Sequence, residues 1–204
     1  PKHLGLPDMV RHSIEGLPEI IDPEINLRKS NDRLRKSIVY TGKYFTKNTK
    51  KIYRSFDEAY RQFNKYVEFM SRGVIPINAV GLYDDLSLNF NASNENLEKQ
   101  ILLLGHSYNI YDEYINMNIA TKLKRRHIKV VTAEMIENKS TRYYASQLPK
   151  RMFWTHGQRI VGAAFSLMDK KAIQGIIYIS AFGCGLDSVL IDLVERKAKE
   201  NRVP

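Results

Sequence analysis

Three short apolar runs, separated by stretches long enough for a helix, constrain this chain more than any other feature. They are Ile101-Leu102-Leu103-Leu104, Ile128-Lys129-Val130-Val131 and Gly175-Ile176-Ile177-Tyr178-Ile179-Ser180. A continuously apolar strand has to be covered on both faces, and helix-length connections let successive strands run parallel. Tyr111, Ile115, Ile119 and Leu123 follow a helical period between the first two runs. Residues 133–148 read as a loop. Pro149 suits the first turn of a helix reaching about Met168. Asp187 suits the cap of a last helix carrying Leu190, Ile191, Val194 and Ala198. The pattern is β-α-β-α-β-α: an α/β domain whose strands near 101–105, 128–132 and 175–180 are parallel neighbours in one sheet with flanking helices.

The upstream part reads differently. Gly5, Pro7, Gly16, Pro18 and Pro23 mark a connecting segment with one short helix near Leu6–Ser13. Residues 28–46 read as a helix with Leu27, Leu34, Ile38 and Phe45 near one face. A second helix is expected over 56–71, with Phe56, Ala59, Tyr60, Phe63, Val67 and Met70 on the helical period. Ser55 and Glu58 fit a capping box at its start and Gly73 fits its stop. The two helices read as an N-terminal hairpin. Residues 74–96, with Asn78, Asn89, Asn91 and Asn94, read as a linker, and a short helix near 94–100 as the lead into the first strand. The expected division is 1–96 for the N-terminal segment and basic hairpin, and 97–204 for the α/β lobe.

The chain has 204 residues, 43% hydrophobic and 26% charged, a globular balance able to build a core. No stretch approaches the ~20 apolar residues of a membrane span, so no membrane partner is expected. The single cysteine, Cys184, rules out an internal disulfide and suits a reducing, cytoplasmic setting. The chain begins Pro1-Lys2-His3 without a methionine, and ends at Val203-Pro204 where a further strand is due. The expectation is therefore a piece of a longer protein, cut at both ends. Net charge is +10, and residues 28–72 hold thirteen Lys/Arg against four Asp/Glu, a local balance of +9. Such a segment suits nucleic acid, an acidic neighbour or simple solvation.

Ligands of open parallel sheets bind outside the carboxyl ends of the strands. Three loops meet there. The first holds Gly105, His106, Ser107, Tyr108 and Asn109, with Asn109 a candidate cap and Asp112 in the first turn after it. The second holds Glu134. The third runs Ser180-Ala181-Phe182-Gly183-Cys184-Gly185-Leu186-Asp187-Ser188. In this loop Gly183 and Gly185 let the backbone approach a ligand closely, and the positive end of the following helix suits a thiolate. Cys184 is thus a candidate nucleophile, redox thiol or metal ligand, or else a small residue in a tight turn. His106 is a candidate acid–base group or a backbone-bonded one. His156, Gln158 and Arg159 are placed to reach a ligand or partner, with Trp154 expected in the core and Arg159 at the surface. The phosphate loop GxxxxGK[ST], GxGxxG, CxxC, HExxH and GxSxG are all absent, which argues against an ATPase, a dinucleotide dehydrogenase or a zinc hydrolase.

Several ordered segments carry a resemblance. GHSYNIYDEYINMNI (105–119), LPKRMFWTHGQRIVGAA (148–164) and IIYISAFGCGLDS (176–188) are similar to a family related to CoA-substrate-specific enzyme activases, and GLPDMVRHS (5–13) resembles the same family. The likeness runs through most of the chain and is weakest in the basic helices. It implies a larger protein of two flavodoxin-like (Rossmann-like) lobes, similar to the iron–sulfur subunits of 2-hydroxyacyl-CoA dehydratases and benzoyl-CoA reductases. Those relatives bind a 4Fe–4S cluster through cysteines and receive electrons from an ATP-dependent activator domain or subunit. Cys184 matches the cysteine of the family's SAFGCG motif, so the resemblance makes it a cluster ligand, with further ligands outside this chain. Ser107 and Leu186 stand where the family usually has proline.

The leading expectation is thus a fragment of an iron–sulfur protein of the dehydratase/activase system, performing electron transfer or reductive chemistry in its full-length form. The expected partners are the activator and a second lobe. The alternatives are a non-catalytic partner-binding module of a CoA-enzyme activase and, less favoured, a nucleic-acid-binding domain using Tyr40, Tyr44, Phe45 and Tyr53 among lysines. An iron–sulfur cluster is expected in the full-length protein and none complete in this chain, since such clusters take several thiolates.

Overall fold

The computed structural model describes residues 2–25, 31–76, 79–80 and 99–204. Leu27, positions 77–78 and 81–96 of the expected linker and most of the helix expected near 94–100 lie outside them; Lys99 and Gln100 already belong to the first strand. The chain divides into two compact units, Pro1–Asn64 and Lys65–Pro204.

The first unit opens with α1 (Lys2–Ser13), which contains Pro7. The Arg11 guanidinium binds Asp8 at 2.8 Å and Asp22 at 2.7 Å, tying the segment after the helix back to it. Next come α2 (Asn31–Lys43) and the start of α3 (Thr49–Ser71). Helix α3 begins about two turns earlier than the sequence suggests, at Thr49 rather than near residue 56. The Asn48 Oδ1 accepts the Lys51 N–H at 3.1 Å, and an asparagine cap serves as well as a serine. Ser55 and Glu58 therefore lie inside the helix, where Glu58 accepts from Gln62 and pairs with Arg61. The buried side chain of this stretch is Ile52, whose branches occupy the space a Cβ on Gly42 would take. Ala59, Tyr60 and Phe63, expected on the packed face, are exposed, as is Phe45.

In the second unit α3 ends as expected. Gly73 adopts φ +93°, its N–H reaches the Met70 carbonyl at 2.9 Å, and the Val74 N–H reaches that of Phe69 at 3.2 Å. Then β1 (Lys99–Gly105), β2 (Ile128–Thr132) and β3 (Gly175–Ile179) form a sheet of order β2-β1-β3, every pair parallel, with Leu102 opposite Val131 and Ile176. This is the flavodoxin-like α/β arrangement expected. Alternation splits the central strand between two cores. Leu102 and Leu104 join Val131 against α7 (Thr155–Asp169) and α8 (Gly185–Asn201), where Ile160, Val161, Ala164, Leu190 and Val194 are buried. Leu103 turns to the other face, with Val130, Ile110 and Leu123. The Pro204 carbonyl accepts the Ile176 N–H at 2.9 Å, along the free side of β3.

The connections depart from expectation in three places. The first crossover is two short helices, α4 (Ser107–Ile110) and α5 (Ile119–Lys124), rather than one. Between them Asp112 Oδ1 accepts the N–H groups of Tyr114 and Ile115, Met117 and Asn118 are both left-handed, and buried Asn116 donates to the Ile110 carbonyl. Short polar side chains that bond the local backbone compete with a helix, and here they interrupt it. The stretch 133–148 is not a loop: a 3₁₀ turn at Ala133–Met135 leads into α6 (Asn138–Ala145). Helix α6 packs on α7 so closely that a Cβ on Gly162 would stand 2.0 Å from the Thr141 carbonyl oxygen. Lastly, α7 begins at Thr155, not at Pro149. Met152 is drawn into the core ahead of the helix, and its carbonyl accepts from Gln158 at 2.6 Å.

Candidate functional site

The carboxyl edge of the sheet gathers two groups of polar side chains. The first surrounds the loop after β1. Gly105 has φ +146°, and a Cβ there would stand 2.3 Å from the Ile179 carbonyl oxygen, so only glycine lets β1 turn against the end of β3. The turn delivers His106 to the loop that follows β3. The donor atoms of His106, Cys184 and Asp187 all lie within 4.8 Å of one another.

Each member is fixed differently. Cys184 is half-buried and occupies the N-cap position of α8, after a tight turn with Gly183 at φ +73° and the Cys184 N–H on the Ala181 carbonyl at 3.2 Å. Asp187, three residues on, is 1% exposed. It does not cap the helix, which already starts at Gly185. Its Oδ1 instead accepts from the Tyr178 hydroxyl at 2.8 Å and faces His106 Nε2 at 3.4 Å, while its Oδ2 has no hydrogen-bond partner. Burial, then the bond to Asp187, holds the Tyr178 phenol well above the ordinary tyrosine range. The His106 ring stacks on Tyr108 at 5.3 Å and on His156, from α7, at 4.5 Å between centroids. Burial and the neighbouring His106 push the His156 pKa down, and its Nε2 is buried without a partner.

The second group lies along β2. The Tyr111 hydroxyl donates to Glu134 Oε2 at 2.6 Å and lies 2.9 Å from Thr132 Oγ1. Ser107 Oγ reaches the other Glu134 oxygen at 3.5 Å, a weak contact. Burial, and then the Glu134 charge, raise the Tyr111 pKa far above its usual value.

Of the residues singled out in the sequence, the structure brings Gly105, His106, Tyr108, Gly183, Cys184 and Gly185 to one place, and Ser107 and Glu134 to the other. Ser180 and Phe182 are exposed in the loop after β3, Phe182 completely. Asn109 is no cap: it is buried in α4 with its Nδ2 lacking a partner. Trp154, expected in the core, is 43% exposed, and Arg159 is half-buried with a 2.7 Å bond to Asn138. Sequence reasoning passed over Tyr178, Tyr111 and the donor role of Asp187. The i, i+3 spacing of Cys184 and Asp187, which puts both in one helical turn, was the available signal for the last.

Among the described residues no helix is long and apolar enough to cross a membrane. No curated protein and no solved structure matches the chain. A family model described as a CoA enzyme activase uncharacterised domain matches residues 1–136, a span that includes His106 and Glu134 but stops short of Cys184, and the chain belongs to that family.

Proposed function

We propose that this member of the CoA enzyme activase family is the lobe that presents Cys184 as one ligand of an iron–sulfur centre. The centre would sit in a longer protein similar to the 2-hydroxyacyl-CoA dehydratase iron–sulfur subunits. The observation that carries this reading is the placement of Cys184, half-buried at the carboxyl edge of a parallel sheet beside His106 and Asp187. The chain has a single cysteine and a cluster takes several thiolates, so this lobe fits one corner and the others come from elsewhere. Such a centre, when bound, supplies one-electron transfer. The part of this chain is to hold the thiol in place through the Ala181–Cys184 turn and the first turn of α8, and to keep one side of the site dry with the His106–His156 stack. An ATP-dependent activator is the electron donor in this reading.

The test is anaerobic expression of the full open reading frame, with iron and acid-labile sulfide measured for the parent protein and for Cys184→Ser. Parent protein rich in both, with a marked loss in the variant, supports the reading. Unchanged iron and sulfide in the variant refutes it.

A further inference from the structure

The spacing of the donors points to a different capacity of the same edge. We propose that His106, Cys184 and Asp187 together form a mononuclear binding site for a divalent transition ion of the zinc class, complete within this chain. The inference rests on the reading that Cys184 is a metal ligand, and names a mononuclear ion with its partner ligands as an alternative to the cluster at the same thiol.

Three observations support it. The first is distance. His106 Nε2 and Asp187 Oδ1 are 3.4 Å apart. A charge-assisted hydrogen bond would draw them to about 2.7–2.9 Å. Two ligands on one tetrahedral ion, with bonds of about 2.0–2.3 Å, stand roughly 3.3–3.7 Å apart. All three donors fall within 4.8 Å of each other, so small side-chain adjustments bring them around one ion.

The second is an orphan. Asp187 is 1% exposed, yet both groups that face it, Tyr178 and His106, lie against Oδ1. Its Oδ2 has no partner, and a buried carboxylate left short of partners in that way is costly unless a nearby cation offsets its charge. The Tyr178 bond to Oδ1 holds the carboxylate in place, as outer partners of metal ligands do. The His156 ring, stacked on His106 at 4.5 Å, fixes the plane of the imidazole in the same way.

The third is the chemistry of the set. One thiolate, one imidazole and one carboxylate are borderline-soft donors that favour zinc or ferrous iron over magnesium or calcium. Thiolate and carboxylate together carry two negative charges, which a divalent ion neutralises. Three protein ligands leave a fourth position open, the arrangement of zinc sites that bind water or substrate rather than serve as struts.

The experiment is a cobalt titration of the 204-residue chain under reducing, anaerobic conditions. One equivalent of Co²⁺ should produce the intense visible bands of a four-coordinate ion together with a near-ultraviolet thiolate-to-cobalt band, both abolished by one equivalent of Zn²⁺ and untouched by excess Mg²⁺. Cys184→Ser should lose the thiolate band, and His106→Gln and Asp187→Asn should each weaken cobalt binding at least tenfold. Tyr178→Phe should weaken it by roughly tenfold through the orientation of Asp187. Circular dichroism checks the fold of each variant. If Asp187→Asn does not fold, His106→Gln, at a partly exposed position, decides. Folded parent chain that gives no four-coordinate cobalt spectrum overturns the proposal. So does cobalt affinity that depends on Cys184 but is indifferent to His106; that result would leave the cluster-ligand reading standing, because sulfide content in the full-length protein tests it separately.

Discussion

Tyr178 and Asp187 are joined at 2.8 Å, the phenol of β3 donating to a carboxylate in the first turn of α8 that is 1% exposed. The bond fastens the last helix to the end of the strand that precedes it, across the turn that holds Cys184. Tyr178→Phe leaves that buried oxygen without its donor. The expected cost is about 1–3 kcal/mol, read as a lower urea midpoint at unchanged slope. A midpoint equal to the parent's would show that the bond contributes nothing to the fold.

Tyr111 gives a pH prediction with a definite sign. Its folded pKa is raised, chiefly by burial and then by Glu134. An unfolded tyrosine ionises near pH ~10. Below that pH both states keep the proton and the contribution to stability is complete. Above it the unfolded state releases the proton first, so stability falls as pH rises toward the folded value. Urea midpoints between about pH 9 and pH 11 should therefore fall more steeply for the parent than for Tyr111→Phe. Parallel slopes would contradict the assignment.

The α6–α7 contact predicts a contrast between two glycines. An alanine Cβ at 162 would stand 2.0 Å from the Thr141 carbonyl oxygen, and backbone on both sides has to move. Gly162→Ala is expected to cost about 2–3 kcal/mol. Gly185→Ala, at the start of α8 with nothing within 4 Å, is expected to fall within about 0.5 kcal/mol of the parent. Thermal or urea unfolding of the two variants side by side checks both values.

The exposure of Cys184 sets a chemical prediction. The thiol is half-buried at the sheet edge, not packed in either core. Iodoacetamide should therefore label it in the native chain, with the modified residue identified by mass spectrometry. One equivalent of Zn²⁺ should slow the labelling at least tenfold. Labelling that begins only in denaturant would mean the thiol is inaccessible and would remove the support for its ligand role.

The sequence by itself determined the architecture of the α/β lobe. Three apolar runs with helix-length connections admit few arrangements other than a parallel sheet, because each strand must be covered on both faces. The same pattern places the loops after Leu104 and Ile179 at one edge, and so puts His106 and Cys184 within reach of each other. Local signals were less decisive. Asn48, Asp112 and Asn116 bond backbone groups that a periodicity argument does not see, so α3 began early and the first crossover broke into two helices. Tertiary structure alone decided the rest. Whether Asp187 caps a helix or turns into the protein depends on Tyr178 waiting at the end of β3, a contact nine residues away that no local pattern encodes. Whether two histidines fifty residues apart stack depends on how closely β1, β3 and α7 approach one another. Part of that approach is set at Gly105, where the absence of a side chain lets β1 close on the Ile179 carbonyl.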